Sequence, residues 1–326
     1  MTFTASTQPS RSTQPTQSSH QPAPAYGQAQ TVAVVAESTC CLPPELVREL
    51  AIGIIPIPFV FGEQTYLDGV DITPAQFYRT LVAAHEPPKT SPPAPGAYLE
   101  AWRQAARGIP GIPGGADVVS VTVDGMVSTL QRSARLALEL APEHLPGIGV
   151  RVVDSLSAGM GQGFVALAAA RAARAGQSFE EVVAAAERVS QRVRLVVTLD
   201  TLEYLARASR IPQVAALLGG ILAIKPIILI AEGDVHPLAR VRGRRRSLDQ
   251  LVEHVRQLAP PGGARLHAAV QHARAEEEAA WLEARIRAAF DCVEVYTTEF
   301  TPVMGGYCGP GLLGVAFYSE DADATS

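Results

Sequence analysis

The chain has 326 residues, 47% of them hydrophobic, and a formal net charge of −5. That length supports a large core divided between two domains, and the acidic balance gives no global attraction for nucleic acid. The four cysteines, Cys40, Cys41, Cys292 and Cys308, have neither a zinc spacing nor a secreted-domain pattern, which reads as reduced thiols in a cytoplasmic protein.

Residues 1–30 are rich in Ser, Thr, Gln and Pro, lack the apolar segment of a secretory signal, and are expected to be a disordered tail. Residues 31–36 read as a first buried strand, and Pro43-Pro44 opens a helix through Leu50. A second apolar run, 52–61, is turned by Gly62-Glu63. Thr73-Pro74 supplies an N-cap and a first-turn proline for an amphipathic helix through Ala83. Thr90-Ser91-Pro92-Pro93 is a polar turn before a helix from Pro95, and the Pro/Gly-rich stretch 108–115 is a surface loop.

Further strands are expected at 117–123, 150–153, 195–198, 223–230, 265–271 and 292–297. Ser178 with Glu181, and Ser247 with Gln250, are capping-box patterns that start two helices. Gly159-Met160-Gly161-Gln162-Gly163 precedes an Ala-rich helix. It lacks the third glycine position and the acidic partner of a dinucleotide loop, so close strand-to-helix packing is the favoured reading. The apolar stretch 214–230 is broken by Gly219, Gly220, Lys225 and Pro226, so no integral membrane association is expected. The acidic end, 320–326, is expected to fray. Alternating strands and helices argue for an α/β protein, with an N-terminal domain at 31–165, able to exchange segments with a C-terminal domain at 166–319.

Short polar turns interrupt these apolar runs, and in α/β proteins such turns gather at strand ends around a ligand. They are Glu37-Ser38-Thr39, Lys89-Thr90-Ser91-Pro92, Asp154-Ser155, Ser209-Arg210-Ile211 and Gly309-Pro310-Gly311. Together with Tyr66-Leu67-Asp68-Gly69-Val70-Asp71-Ile72, Phe77-Tyr78, Ser133-Ala134, Thr198-Leu199, Ile224-Lys225-Pro226-Ile227 and Val241-Arg242, their order and spacing resemble the DegV family of fatty-acid-binding proteins, from about Val32 to Phe317. The resemblance implies two α/β domains with a lipid-binding tunnel between them and a long-chain fatty acid whose carboxylate is buried near Thr90-Ser91. It also implies a partner fatty acid kinase, to which the acyl chain is presented for acyl phosphate formation in phospholipid synthesis.

The resemblance makes Ser38, Thr90, Ser91, Ser128, Tyr307 and Gly309 lipid-binding candidates. Arg210 and Arg242 become candidates for head-group or partner recognition, because a guanidinium fork holds carboxylate or phosphate bidentately. Three departures from the family pattern stand out. Tyr307 occupies the position of a histidine, and a phenol can donate a hydrogen bond but brings no charge near neutral pH. Asp124 opens the segment that carries the family's hydroxyl cluster, where it would repel a carboxylate unless it points away or is protonated. Ala208-Ser209 replaces a Gly-Gly before Arg210. The run Arg242-Gly243-Arg244-Arg245-Arg246 reads as a helix start or partner-docking face, since no aromatic residues interleave it as they would in a nucleic-acid patch.

No Walker lysine loop, no nucleophile paired with a base and no metal-ligand spacing among His85, His144, His236, His254, His267 and His272 is visible, and most of these histidines are expected in solvent. The chain therefore reads as a non-enzymatic carrier with a fatty acid as ligand, no cofactor and no metal. The competing reading is an enzyme or phosphoryl-handling domain acting on a small polar ligand.

Overall fold

The computed structural model describes residue 1 and residues 31–84, 87–109, 115–125, 130–208, 224–260 and 265–320. The first half runs β1 (Val32–Glu37), α1 (Pro44–Glu49), β2 (Gly53–Ile55), β3 (Pro58–Phe61), β4 (Gln64–Leu67), α2 (Pro74–Ala83), β5 (Lys89–Thr90) and α3 (Pro95–Gly108). There follow β6 (Asp117–Thr122), α4 (Leu130–His144), β7 (Val150–Asp154), α5 (Met160–Arg174) and α6 (Phe179–Ser190). The second half runs β8 (Arg194–Thr198), α7 (Glu203–Ala208), β9 (Ile224–Ala231), β10 (Asp234–Arg242), α8 (Arg244–Leu258), β11 (Leu266–His272), α9 (Glu276–Ala289), β12 (Cys292–Glu299), α10 (Pro302–Cys308) and β13 (Leu313–Ser319). The protein is thus a mixed α/β fold.

Among the described residues, three sheets follow from this order. The first is parallel, β2-β1-β6-β7, and the second is mixed, β10-β9-β8-β13-β11-β12, with β11 and β12 its parallel pair. A small antiparallel sheet, β4-β3-β5, carries Thr90 opposite Phe59. All six residues of β1 are buried, as a parallel strand covered on both faces requires. Its odd and even side chains go to different cores. Ala33 and Val35 pack with Tyr98 and Trp102 of α3, whereas Val34 and Ala36 share a core with Phe164 and Leu167 of α5.

Helix α5 lies between the two large sheets, touching β1 and β6 on one side and β8 and β13 on the other. Twelve of its fifteen residues are buried, which is why its sequence is apolar all round rather than striped. The opening glycines allow the approach. A Cβ at Gly161 would fall 2.0 Å from Ser157 Oγ, and one at Gly163 would fall 2.8 Å from the Cys40 carbonyl. Close packing, not phosphate binding, accounts for the Gly-x-Gly-x-Gly run. The divide expected between residues 165 and 166 falls inside this helix.

Most predicted elements form at their predicted places, and the differences have local causes. The run 52–61 is two strands in two sheets, because Pro56 and Pro58 lack the N–H that one continuous ladder needs. The capping box at Ser178 and Glu181 forms, while Ser247 lies inside α8, its hydroxyl donating back to the Arg244 carbonyl at 2.8 Å. That helix begins earlier because Gly243, at φ 87, turns the chain out of β10. Strand β10 escapes the sequence pattern because Pro237 interrupts it. It sits at a sheet edge with its register shifted between Pro237 and Ala239, a position that tolerates proline. Thr73 caps α2 through a reciprocal box with Gln76. The tails, residues 110–114 of the predicted surface loop, Ser128 and Arg210 lie outside the described residues.

One tie between the halves is testable. The buried Tyr78 hydroxyl on α2 donates to the Phe300 carbonyl at 3.0 Å, just ahead of α10. Tyr78→Phe strands that carbonyl and is expected to lower stability by about 1–3 kcal/mol in denaturant titration. Unchanged stability would mean the bond adds nothing to the tie.

Candidate functional site

Helix α10 gathers the site. Its first turn is held by the N-terminal half, since the Val303 N–H donates to Asp68 Oδ1 at 3.3 Å. Along its length glycine replaces side chain where neighbours press in. A Cβ at Gly305 would meet the Tyr78 hydroxyl at 1.8 Å, and one at Gly306 would meet Pro88 Cγ at 2.5 Å and Phe77 Cζ at 3.3 Å. Gly309 ends the helix at φ 77, a region that only glycine enters freely, and a Cβ there would strike the Tyr204 ring at 2.2 Å. Gly309 is therefore a packing requirement that shapes the turn into β13.

This seating brings Tyr307 against the end of β5. The Tyr307 phenol and the Thr90 hydroxyl are hydrogen-bonded to each other across 217 residues of sequence, both half-buried. Beneath them Phe59, opposite Thr90 in the ladder, stacks on Tyr66 at 5.4 Å and meets Phe77 edge-on at 5.7 Å. The site is thus a pair of hydroxyls on an aromatic floor.

Ser38 has a different task. Its hydroxyl donates to Asp68 Oδ2 at 2.6 Å and accepts the Ile57 N–H at 3.2 Å. With Asp68 also holding Val303, Ser38 steadies the base of α10 and has no second proton to give a ligand. Asp68 is almost wholly buried, and burial raises its pKa against hydrogen bonds, Ser38 foremost, that lower it.

A second buried carboxyl lies at the end of β1 and was not singled out from sequence. Glu37 Oε1 accepts from Tyr98 at 2.5 Å, and Oε2 accepts the Val123 N–H at 2.8 Å and the Gln162 amide at 3.4 Å. Burial pushes its pKa up to about 7, outweighing those hydrogen bonds. The sequence placed Glu37 in the polar turn Glu37-Ser38-Thr39 at the end of an apolar strand, without assigning its carboxyl a role.

The remaining candidates separate. Ser91 is exposed, with its backbone N–H on the Pro58 carbonyl at 3.0 Å. Arg242 is exposed at the last pairing of β10, opposite Ile224. Register puts that end of the second sheet together with the start of β13 that follows Tyr307 and Gly309. The rest of the arginine run is partly engaged: Arg244 pairs with Glu278, and Arg245 lies 4.2 Å over the Trp281 ring. Asp124 is 1% exposed and faces the turn at Gly233. Of the histidines, most of them expected in solvent, His144 and His236 are exposed, whereas His267 at 7% and His272 at 8% exposure are buried, because β11 is buried along its whole length. All four cysteines are free, and among the described residues no helix is long and apolar enough to cross a membrane.

With that geometry in view, the family model for DegV proteins matches residues 31–320. A DegV domain-containing protein of Deinococcus radiodurans is 35% identical over 287 residues, covering 88% of this chain and 98% of the relative. Among solved structures, a fatty-acid-binding DegV family protein of Thermus thermophilus superposes with a TM-score of 0.80 at 29% identity, over 89% of this chain and all of that one. DegV of Bacillus subtilis, described as a fatty acid binding protein, gives 0.77 at 28% identity over 89% of this chain and 100% of its own.

The Glu37 network carries a pH signature. A carboxyl whose pKa is about 7 folded and 4.5 ordinarily holds its proton more tightly in the native state. Its contribution to stability is full below about pH 4.5 and is lost as pH rises through about 7, a change on the order of 3 kcal/mol. Glu37→Gln is expected to flatten that loss in denaturation curves taken at pH 5 and pH 8. A loss of equal size in the variant would assign it to other groups.

Proposed function

Because the chain belongs to the DegV family, we propose that it is a non-catalytic carrier of a long-chain fatty acid, receiving the carboxylate between Thr90 and Tyr307 and presenting it to a partner fatty acid kinase. The observation that carries the reading is the contact between those two hydroxyls. In that contact one hydroxyl donates and the other accepts, whereas a carboxylate between them accepts from both. The exchange adds a charge-assisted hydrogen bond at the point where a buried carboxylate most needs one.

Affinity comes from the tail. Burying methylenes contributes about 0.8 kcal/mol each, so a long acyl chain gains on the order of 10 kcal/mol before the costs of association. Polar donors then fix which end faces the opening. The aromatic floor of Phe59, Tyr66 and Phe77 suits the first methylenes, and Ser91, exposed beside Thr90, suits the rim. Tyr307 gives this chain a neutral donor at the family's histidine position, so head-group binding should not require a protonated imidazole. Ser128 and Arg210 complete the head-group set on the family resemblance alone.

Titration of delipidated protein with a fatty acid tests the head group. Thr90→Val and Tyr307→Phe should each weaken binding by about 1–3 kcal/mol, Ser91→Ala should weaken it in the same direction, and Tyr307→His should recover it below the imidazole pKa. Affinities of Thr90→Val and Tyr307→Phe equal to that of the unaltered protein would put the carboxylate elsewhere.

Presentation to a kinase needs a surface that meets an acidic or phosphate-bearing partner, and the exposed Arg242 lies at the sheet end nearest the α10 turn. Arg242→Glu is expected to cut acyl phosphate formation in a reconstituted kinase assay while the lipid stays bound. Acyl phosphate made by this chain with ATP and no kinase would overturn the carrier reading.

A further inference from the structure

Outside the lipid site, one group of metal-ligating side chains is assembled by the fold at the C-terminal ends of β11 and β12. Parallel pairing sets His272 directly beside Glu299. A tight turn through Arg274, at φ 50, then delivers Glu276 as the first residue of α9. One ligand atom from each of the three lies within 4.8 Å of the other two.

Two physical features set this group apart from an ordinary surface cluster. The His272 residue is 8% exposed, and its Nδ1 is buried with no hydrogen-bond partner; a buried polar atom left that way costs about 1–3 kcal/mol. The second feature is convergence: Glu276 and Glu299 each bring a carboxylate oxygen within 4.8 Å of a His272 ring nitrogen and of each other, from three different elements of the fold.

We infer that His272, Glu276 and Glu299 form a binding site for a divalent transition-metal cation of the zinc class, with water filling the remaining coordination. One nitrogen and two carboxylate oxygens are a ligand set that zinc accepts, and zinc outranks manganese and iron(II) at such sites. Tetrahedral zinc with bonds of about 2.1 Å wants its ligand atoms roughly 3.4 Å apart. The three atoms lie within 4.8 Å of one another, so closing takes at most a little over 1 Å per pair, and the exposed Glu276 is free to turn about its side-chain bonds toward the other two. A bound cation would clamp the ends of β11, β12 and α9 at the root of α10, one residue before the Phe300 carbonyl that Tyr78 holds. The inference rests on none of the lipid-binding argument.

The test is a zinc titration by calorimetry, with melting temperature followed in parallel, on the full chain without an affinity tag after chelator treatment. Expected is one equivalent of zinc bound with a higher melting temperature. Loss of an outer-shell partner already costs 10–100-fold in metal affinity, so removing a ligand should cost at least about 100-fold. That loss is expected in His272→Asn, Glu299→Gln and Glu276→Gln. Since Glu276 is exposed, Glu276→Gln reports on ligation without disturbing the core. Absence of saturable zinc binding, or unaltered affinity in Glu276→Gln and Glu299→Gln, would overturn the site.

Discussion

Everything in this protein is arranged around the burial of α5 between two sheets. A helix so enclosed cannot leave a polar group to water, yet Gln162 sits on it fully buried. Its amide nitrogen donates to the Val121 carbonyl at 3.2 Å and to Glu37, and its oxygen accepts from Thr39 at 2.7 Å. At the mouth of the helix the Met160 N–H finds Gln271 Oε1 at 2.8 Å. These bonds satisfy what burial would otherwise penalise by several kcal/mol, and they join the carboxyl edge of the parallel sheet to the second sheet. The same helix sends Arg171 to Glu294 of β12, whose carboxylate also holds His267 and Tyr296. Hydrogen bonds and the Arg171 charge hold Glu294 well below the usual carboxylate range, at about 2.

Fixing the two sheets in this way fixes α10, which belongs to the second half in sequence but leans on the first. Its glycines are the means: three successive contacts, to Tyr78, Pro88 and Tyr204, lie closer than any side chain permits. The consequence is functional. Tyr307 reaches Thr90 only because the helix beneath it carries no side chains at Gly305 and Gly306, so the contact between the two hydroxyls is a product of backbone packing as much as of the hydroxyls themselves. The Ser38–Asp68 pair belongs to the same device, bracing the start of α10.

Two kinds of carboxyl follow from these junctions. Glu37 and Asp68 are buried where two elements meet, with hydrogen-bond donors but no cation, so desolvation dominates and their pKa values rise. Burial would raise the pKa of Glu294 too, but hydrogen bonds from His267, Arg171 and Tyr296 and the Arg171 charge together outweigh it, so its pKa falls. The distinction sets the sign of the pH dependence: Glu37 and Asp68 lose their contribution to stability as pH rises, whereas Glu294 loses its contribution as pH falls.

Local pattern was enough for much of the architecture. Apolar runs bounded by turn residues located β1, β6, β7, β8, β9, β11 and β12, and the side-chain chemistry of Thr73-Pro74 and Ser178 marked two helix starts, because such signals act within a few residues. The order of polar turns was enough for the family, and it drew attention to Thr90 and Tyr307, which the fold brings into contact. What the tertiary structure decided involves separations no local pattern carries. Whether Ser38 faces a ligand or Asp68, whether a strand's carboxyl is charged or buried, and whether His272 meets solvent or two glutamates depend on which elements pack together. An edge strand tolerates Pro237 because among the described residues nothing pairs beyond it, and Gly309 is required because Tyr204 lies against it; both reasons are set by the sheet order and by neighbours distant in sequence.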